Sequence, residues 1–279
     1  MWATIPFVLF FDGSRMANSA SRELKRNETK KNLGVLSALV SKDFKRKYRR
    51  SVLGVVWSVL NPLLMMVVLT AVFSYMFRFQ IEHFPLYLIL GQILFSLMSS
   101  ATTQAMSSIV DSSSMIKKIR IEKAIFPIEK VIFELVNFAF SLVAVACVMI
   151  YMQVIPTWTL LLLPVLLIFV VLFTMGLSLI LAAMGVFFRD VFHLWSVFTM
   201  AWMYATPLFY PLDMLEGWMQ QVMLFNPMYH YVTYFRDIVM YGTMPGLKAN
   251  LICLGMAVIT FVIGLLVFRK TEKKFILYV

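Results

Sequence analysis

The stretch that decides the fold is residues 135–188, LVNFAFSLVAVACVMIYMQVIPTWTLLLLPVLLIFVVLFTMGLSLILAAMGVFF, which runs for 54 residues without a charged side chain. A helix crosses the hydrocarbon core of a bilayer with about 20 apolar residues. Proline removes a helical hydrogen bond, so Pro156 marks a break inside this stretch. The stretch therefore predicts two membrane-spanning helices joined by a short connection.

Four further stretches lack Asp, Glu, Lys and Arg and are each long enough to cross once. They are residues 51–77, 84–110, 191–212 and 249–268. Hydrophobic residues make up 61% of the chain, and in runs of this length they leave no face for water. The sequence therefore predicts an all-α polytopic membrane protein with six transmembrane helices rather than a soluble domain.

Positive charge is unevenly distributed between these stretches. Of the 25 Lys and Arg residues, 12 lie in residues 1–54, 5 in 111–130, 1 in 189–190 and 4 in 269–279, which leaves 3 for all other gaps. Because cytoplasmic loops retain Lys and Arg, we expect both termini in the cytoplasm. We attribute the net charge of +11 to attraction for anionic membrane lipids, and we expect no nucleic-acid partner.

Residues 33–50 predict an amphipathic helix at the inner membrane surface, after a cytoplasmic segment at residues 1–32. Apolar side chains recur every fourth residue and form one ridge: Leu36, Val40, Phe44 and Tyr48. Basic side chains cover most of the remaining surface. Such a helix lies with its apolar face in the acyl boundary and its basic face toward the headgroups. An ordinary basic flank of the first crossing is the alternative.

The second predicted crossing is unusually polar. Its hydroxyl and amide side chains are Ser96, Ser99, Ser100, Thr102, Thr103, Gln104, Ser107 and Ser108. Two interpretations stand at this point. The side chains form a wall of a hydrophilic path, or they are small residues that allow close helix packing.

Two connections carry further signals within the transmembrane domain, residues 51–279. The inner loop, residues 111–130, alternates apolar and basic residues and predicts a short helix that projects into the cytoplasm. The outer hairpin, residues 211–248, is too apolar for a solvated loop and is divided by Pro211, Pro227 and Pro245. Its pieces are too short to cross. They predict two re-entrant half-helices on the outer side that gate a pore.

The chain lacks the residues that catalysis or ion coupling would need. It contains no Gly-x4-Gly-Lys-Ser/Thr loop for ATP phosphates, and its three histidines stand apart with no second metal ligand at binding spacing. No Lys, Arg or Asp lies in the middle of a predicted crossing, where an ion-coupled transporter needs one. We therefore expect no enzyme activity, no cofactor and no metal in this chain, and transport energy from another subunit.

Short motifs at defined positions between residues 33 and 279 carry a family resemblance. They are Lys47–Gly54 with Trp57 and Pro62, Ile116–Ile119, Phe188–Asp190, Thr206-Pro207, Tyr210-Pro211, Asn226-Pro227 and Phe235–Asp237. In this order they resemble the ABC-2 type transporter permeases, and within these the permeases that export O-antigen, capsule and teichoic acid polysaccharides. One departure is Ile121-Glu122, where the family often has Phe-Pro.

The resemblance implies a half-transporter in the bacterial cytoplasmic membrane. Two copies of the chain would pair with two copies of a separate ATP-binding subunit, which would hold ATP and Mg. The amphipathic helix and the inner loop would dock on that subunit, the loop through Ile116, Lys117, Lys118, Ile119 and Arg120. The half-helices at residues 213–241 would form the outer gate with Trp218, Phe225, Asn226, Pro227, Tyr231, Arg236 and Asp237.

Two groups of side chains are candidates for contact with the cargo. Aromatic rings can stack on sugar faces, and the candidate channel aromatics are Trp195, Trp202, Tyr204, Phe209 and Tyr210. An interfacial belt or core packing is the alternative for each. Basic groups can hold the diphosphate of a lipid-linked glycan at the inner entrance, and the candidates are Arg46, Lys47, Arg49 and Arg50. Plain anchoring to membrane lipids is the alternative for this group.

The leading hypothesis is the permease subunit of an ATP-driven exporter of lipid-linked polysaccharide. An ABC-2 exporter of a drug or small lipid keeps the family and changes the cargo. A membrane-embedded enzyme of lipid-linked sugar metabolism would need acids or histidines clustered at one interface, and the sequence shows no such cluster. A scaffold protein has no feature in its favour beyond the missing catalytic residues.

Overall fold

The computed structural model describes residues 30–49, 51, 53–77, 81–118 and 121–278, and the regular elements in these ranges are all helical, as predicted. The N-terminal helix, α1, covers residues 30–48. It is followed by α2 (Val56–Phe77), α3 (Phe84–Asp111), α4 (Ser113–Lys118), α5 (Ile125–Tyr151), α6 (Leu163–Phe187), α7 (Asp190–Ala205), α8 (Gly217–Met223), α9 (Pro227–Arg236), α10 (Leu247–Thr271) and α11 (Phe275–Tyr278). Residues 1–29, most of the predicted cytoplasmic segment, lie outside the described residues.

Five helices of the described chain are long and apolar enough to cross a membrane. They are Val56–Ser74, Phe84–Asp111, Ile125–Tyr151, Trp158–Phe187 and Leu247–Lys274, the last two counted with short 3-10 turns. The uncharged stretch at 191–212 predicts a sixth, but α7 has 16 residues, about 24 Å of helix. It ends because Thr206 precedes a proline and is extended, with φ −78 and ψ 136.

The long helix α3 is the centre of the bundle. It packs against α2, α5, α6, α7 and α9, and most of its residues are buried inside the protein. In contrast, α2 is largely exposed along its length. The fold therefore surrounds the most polar of the predicted crossings with other helices.

Close backbone approach joins α6 to α10. A Cβ atom on Gly264 would lie 2.2 Å from the carbonyl oxygen of Gly176, and a Cβ atom on Gly176 would lie 2.5 Å from the carbonyl of Thr260. Small residues allow two membrane helices to pack at this distance. Gly176 and Gly264 therefore let α10 pack directly against α6.

The outer hairpin divides unequally between its prolines. The first piece contains a 3-10 turn at Leu212–Met214 and then α8, with Leu215 and Glu216 extended between them. The second piece is continuous, because the π-helical turn Asp237–Tyr241 extends α9. Helix α8 therefore covers only 7 residues of the first piece, whereas α9 and its π-helical extension run from Pro227 to Tyr241 in the second.

Candidate functional site

A polar cavity lies between α1, α2, α3 and α5. We call it the inner cavity. Its volume is about 390 Å³. It is lined by Lys47, Tyr48, Trp57, Ser58, Asn61, Pro62, Gln92, Ile93, Ser96, Leu97, Ser100, Gln104, Glu134, Asn137, Phe138 and Ser141. Hydroxyl and amide groups from three long helices thus face one space.

Tyr48 connects three helices at the wall of the inner cavity. Its hydroxyl donates to Asn137 Oδ1 at 2.9 Å and also contacts the hydroxyl of Ser58. Its ring packs edge-on against Phe44, with centroids 4.8 Å apart. The end of the amphipathic helix is therefore tied to both α2 and α5.

Asn137 is 6% exposed, and only one end of its amide is bonded within the protein. The oxygen accepts from Tyr48, whereas Nδ2 has no hydrogen-bond partner. Gln92 Oε1, on the opposite wall, is likewise buried without a partner. The inner cavity therefore presents an unused donor and an unused acceptor.

A smaller cavity of about 320 Å³ shares part of its wall with the inner cavity. It is lined by Asp43, Arg46, Lys47, Gln104, Phe133 and Glu134. Lys47, Gln104 and Glu134 line both cavities, and Glu134 accepts a hydrogen bond from Gln104 Nε2 at 2.6 Å. The two cavities therefore lie next to each other at the end of α1.

An ion cluster holds α1 against α5. Lys130 Nζ pairs with Asp43 and lies 2.9 Å from Glu129 Oε2, while Arg46 lies 3.6 Å from Asp43. Asp43 and Glu129 are both buried. The sequence analysis missed this cluster. The available signal was one acid, Asp43, within an otherwise basic helix.

The predicted entrance residues lie on two sides of α1. Lys47 lines both cavities, and its ammonium lies 5.4 Å from the Phe133 ring centroid. Arg46 lines the smaller cavity, and Arg49, the residue after the end of α1, is exposed. Arg50 lies outside the described residues. Of the three entrance candidates that the structure describes, Lys47 is therefore the one that lines the inner cavity.

The polar side chains of α3 divide between the two interpretations. Ser96, Ser100 and Gln104 line the inner cavity. In contrast, the hydroxyls of Thr102 and Ser108 are buried and donate to backbone carbonyls of their own helix. A polar wall and small-residue packing thus occupy different faces of one helix.

Near the N-terminal end of α3, Arg236 of α9 is buried among backbone carbonyls. Its guanidinium donates to Pro207 O and Leu208 O at 3.0 Å each and to Tyr87 O at 3.2 Å and 3.3 Å. It also lies 3.3 Å from the centroid of the Tyr87 ring. Burial lowers the pKa of Arg236 to about 10, so the group keeps its charge at neutral pH.

Gly91 makes room for this arrangement. A Cβ atom there would lie 2.9 Å from Arg236 Nη2. Among the described residues, Arg236 forms no ion pair with Asp237, which is half-buried next to it. Carbonyls from elsewhere in the fold bind the guanidinium instead.

Asn226 organises the start of α9. Its side chain accepts from the backbone N–H of Met228 at 3.1 Å and from Trp202 Nε1 at 2.9 Å, and it donates to Thr206 Oγ1 at 2.9 Å. Pro227 follows as the first helical residue, where its missing N–H costs nothing. The Asn-Pro motif therefore fixes both the helix start and its attachment to α7.

The remaining predicted gate residues have different surroundings. Trp218 and Phe225 are 61% and 82% exposed. Tyr231 is fully buried and donates to Cys253 O at 3.1 Å. The predicted gate set thus contains an exposed apolar pair and a buried hydrogen-bonded group.

The candidate channel aromatics also divide. Trp195 and Phe209 are buried in the core, and Trp195 Nε1 donates to Thr102 Oγ1 at 3.2 Å. Trp202 and Tyr210 are half-buried, whereas Tyr204 is exposed. In the single chain, Tyr204 is therefore the aromatic of this set with an open face.

The inner loop contains α4, as predicted, although it is only six residues long. Lys117 and Lys118 are exposed in its last turn, and Ile116 packs partly buried against a cluster that includes Phe268 and Phe275. Ile119 and Arg120 lie outside the described residues. The basic side of α4 thus faces outward while its apolar side holds the C-terminal helices.

Known proteins resemble this chain over nearly its whole length. The chain is 28% identical over 254 residues to an O-antigen export system permease protein RfbA of Klebsiella pneumoniae, which covers 88% of this chain and 96% of that protein. It is 30% identical over 244 residues to a protein of the same name from Myxococcus xanthus, with 87% and 94% covered. It is 21% identical over 252 residues to the polysialic acid transport protein KpsM of Escherichia coli, with 85% and 93% covered.

The family model for the ABC-2 type transporter matches residues 35–240, which contain α2 to α9 and the Asn226 and Arg236 sites. The resemblance predicted from the motifs is therefore confirmed. Because the match covers well over half of the chain, this protein belongs to the ABC-2 type transporter family.

Proposed function

We propose that this chain is the transmembrane permease subunit of an ATP-driven exporter that moves lipid-linked polysaccharide from the cytoplasmic side across the membrane. The observation that carries the proposal is the similarity over nearly the full length to relatives named for O-antigen export and polysialic acid transport. A polar cavity beside the basic end of α1 is consistent with a polyhydroxy cargo that carries an anionic link to lipid.

The transport unit contains two copies of this chain and two copies of an ATP-binding subunit that holds ATP and Mg. Large apolar side chains exposed on α2 and α7, among them Leu64, Val68, Leu194 and Val197, support contact with lipid and with the second copy. Self-association through such faces suits a membrane helix with little burial in its own chain. The whole unit lies in the bacterial cytoplasmic membrane.

Six crossings with both termini in the cytoplasm require α7 to cross together with the extended residues that follow it. The tail after α10 carries Arg269, Lys270, Lys273 and Lys274, and cytoplasmic segments retain such residues. The outer hairpin then contributes α8 and α9 as re-entrant half-helices that gate the exit. Buried polar bonds at Asn226 and Arg236 support non-helical backbone at this depth.

ATP-driven movement reaches the bundle through α1 and α4. The exposed ammonium groups of Lys117 and Lys118 provide the contact, and the ion cluster at Asp43 and Lys130 transmits movement of α1 to α5. Lys117→Glu with Lys118→Glu should abolish export and leave the amount of folded permease unchanged. Lys248→Glu, an exposed charge reversal on the outer side, is the control. Normal export by the double variant would contradict docking at α4.

Deletion of the chain tests the function itself. The expected result is loss of one surface polysaccharide and accumulation of its lipid-linked form inside the cell, reversed by the wild-type chain. Mass spectrometry of extracted lipid-linked glycans measures it. A deletion strain with normal surface glycans and raised intracellular drug or small lipid would overturn polysaccharide export and establish the other ABC-2 cargo.

A further inference from the structure

We propose that the inner cavity binds one neutral sugar ring of the cargo within the membrane. The proposal rests on the proposed function, because it names where the exported glycan first contacts this chain. The site is formed within a single copy of the chain, by α1, α2, α3 and α5.

Unused hydrogen-bonding groups indicate a ligand. Asn137 is more than nine-tenths buried and lines the cavity, and its Nδ2 has no hydrogen-bond partner in the protein. Gln92 Oε1 is an unpaired acceptor on the facing helix. A buried polar group without a partner is costly, so both groups favour a molecule that supplies an acceptor and a donor together. A sugar hydroxyl does both.

The lining chemistry selects a neutral polyhydroxy group rather than a phosphate. Asn61, Ser96, Ser100 and Ser141 add uncharged donors and acceptors. Glu134 places a carboxylate in the wall, and a carboxylate repels a phosphate at this range. Lys47 is the cation among the lining residues and lies at the α1 end, next to Arg46 of the smaller cavity. An anionic link beyond the sugar would therefore lie at that end.

The size and the opening of the cavity fit this ligand. Its volume of about 390 Å³ lies at the small end of the usual range for ligand pockets, about 300–1,000 Å³. Trp57 and Ser96, both in the lining, are exposed, so the cavity opens to the surface between α2 and α3. Phe138 adds an apolar ring to the polar lining, and a sugar ring likewise has polar and apolar faces.

The cavity extends along α3 past the middle of that helix. Gln104 and Gln92 lie about 10 Å and about 28 Å along α3 from its end at Asp111. Because α3 has 28 residues and is about 42 Å long, Gln104 lies in the half nearer the basic inner loop and Gln92 lies in the other half. With the basic inner loop on the cytoplasmic side, a sugar in this space has left the cytoplasm.

Two adjacent serines on α3 supply a matched test. Ser100 lines the inner cavity, whereas Ser99 is half-buried outside it. Each is replaced by leucine in the full complex with its ATP-binding subunit, in a deletion strain that makes the lipid-linked glycan. Surface glycan is measured against the amount of complex in the membrane. Ser100→Leu should lower export by about tenfold or more, as expected when extra methylene groups fill a binding pocket, and Ser99→Leu should not.

A second variant keeps the proposal falsifiable if Ser100→Leu does not accumulate. Ser96→p-benzoylphenylalanine places a photoreactive ring in the cavity, and Ile168→p-benzoylphenylalanine, at an exposed position on α6, is the control. Illumination in glycan-producing cells should attach glycan at position 96 and not at position 168. Attachment of phospholipid alone at position 96, or equal attachment at both positions, would overturn the sugar site.

The outcomes separate the two proposals. If deletion of the chain causes no accumulation of lipid-linked glycan, the proposed function fails. If the deletion accumulates the glycan, but Ser100→Leu exports at the wild-type level, the function stands and the cavity is not the binding site. Reduced export by both serine variants to the same extent would also reject the cavity, because only one of the two positions faces it.

Discussion

The inner cavity and the Arg236 site lie along neighbouring parts of α3, the cavity from Gln92 to Gln104 and the Arg236 site at Tyr87 and Gly91, and their buried polar groups are bonded differently. Around Arg236, the guanidinium donates to three backbone carbonyls, and the nearby Asn226 uses both ends of its amide. Around the inner cavity, Asn137 and Gln92 each leave one polar atom unused. Because its hydrogen bonds are complete, the Arg236 site, which we also call the outer site, stabilises the fold. The polar atoms of the inner cavity that lack partners are available to a ligand.

This contrast assigns different consequences to substitutions in the two regions. A change in the outer site removes bonds that already exist, so its main cost is stability. A change in the inner cavity removes few bonds within the protein, so its main cost is transport. The free energy of unfolding and the export rate therefore distinguish the two regions when both are measured on the same variants.

Arg236→Ala has the largest expected effect. The substitution leaves the carbonyls of Tyr87, Pro207 and Leu208 buried and without their donor, which costs about 3 kcal/mol or more in total. The free energy of unfolding of the purified permease, followed by titration with SDS, measures the loss. Lys248→Ala, also a loss of one cation on the outer side but at an exposed position, should stay within about 0.5 kcal/mol. Equal stability of the two variants would remove the structural role of the outer site.

Asn226→Ala has the next largest effect. It removes the cap of α9 and the bonds to Trp202 and Thr206, and loss of a cap alone costs about 0.5–2 kcal/mol. We expect about 2 kcal/mol by the same titration. Gln221→Ala, at an exposed position of the neighbouring α8, is the control. A loss no larger than the control's would mean that the α9 start is held by other contacts.

Sequence patterns predicted the inner and outer regions to different extents. Uncharged runs located α2, α3, α5, α6 and α10, because length and hydropathy alone decide whether a helix can cross. The end of α7 was missed, since Pro207 lies inside an uncharged run and the run alone gives no boundary. The motifs at Asn226 and Phe235–Asp237 were noticed, but their partners were not.

The partners could not be predicted for a physical reason. Arg236 is held by backbone carbonyls, and every residue type carries a carbonyl, so the sequence contains no signal for them. Lys130 and Asp43 are 87 positions apart and meet only because α1 packs on α5. Asn137 was a signal in the sequence, because an amide inside an apolar crossing needs a polar neighbour. The sequence analysis did not use it.

Asp43→Asn tests whether the ion cluster on the inner side stabilises the fold as the outer site does. The substitution removes the charge that Lys130 and Arg46 share, while Glu129 remains beside Lys130. We expect a loss of about 1.5 kcal/mol, at the lower end of the range for bonds to charged groups. Asp111→Asn, an exposed acid at the end of α3, should change stability by less than about 0.5 kcal/mol.

Measurement of ATP hydrolysis and export on the same Asp43→Asn complex completes this test. If α1 transmits movement through the cluster, hydrolysis should continue while export falls. If hydrolysis and export fall in the same proportion as the amount of folded protein, the cluster serves stability alone. In that case the ion cluster would stabilise the fold as the Arg236 site does, and only the inner cavity would remain as a region whose role is transport.

Tyr48→Phe has the smallest expected effect on stability. It is also the most direct test of the difference between the inner cavity and the Arg236 site. It deletes one hydroxyl and keeps the ring that packs on Phe44, so the loss of the bond to Asn137 should cost about 1 kcal/mol. It also frees Asn137 Oδ1, which adds a third unused atom to the inner cavity, after Asn137 Nδ2 and Gln92 Oε1. Tyr278→Phe, an exposed tyrosine on α11, is the control for removal of a hydroxyl.

The expected result for Tyr48→Phe is a nearly normal free energy of unfolding with reduced export, because the connection between α1 and the cavity wall is lost. Arg236→Ala should show the opposite result, a large loss in the free energy of unfolding. Its export should fall only in proportion to the loss of folded protein. If Tyr48→Phe lowered the free energy of unfolding as strongly as Arg236→Ala, the inner cavity and the Arg236 site would both serve stability. The unpaired atoms of Asn137 and Gln92 would then reflect imperfect packing. Evidence for a ligand would rest on the experiments at Ser96 and Ser100 alone.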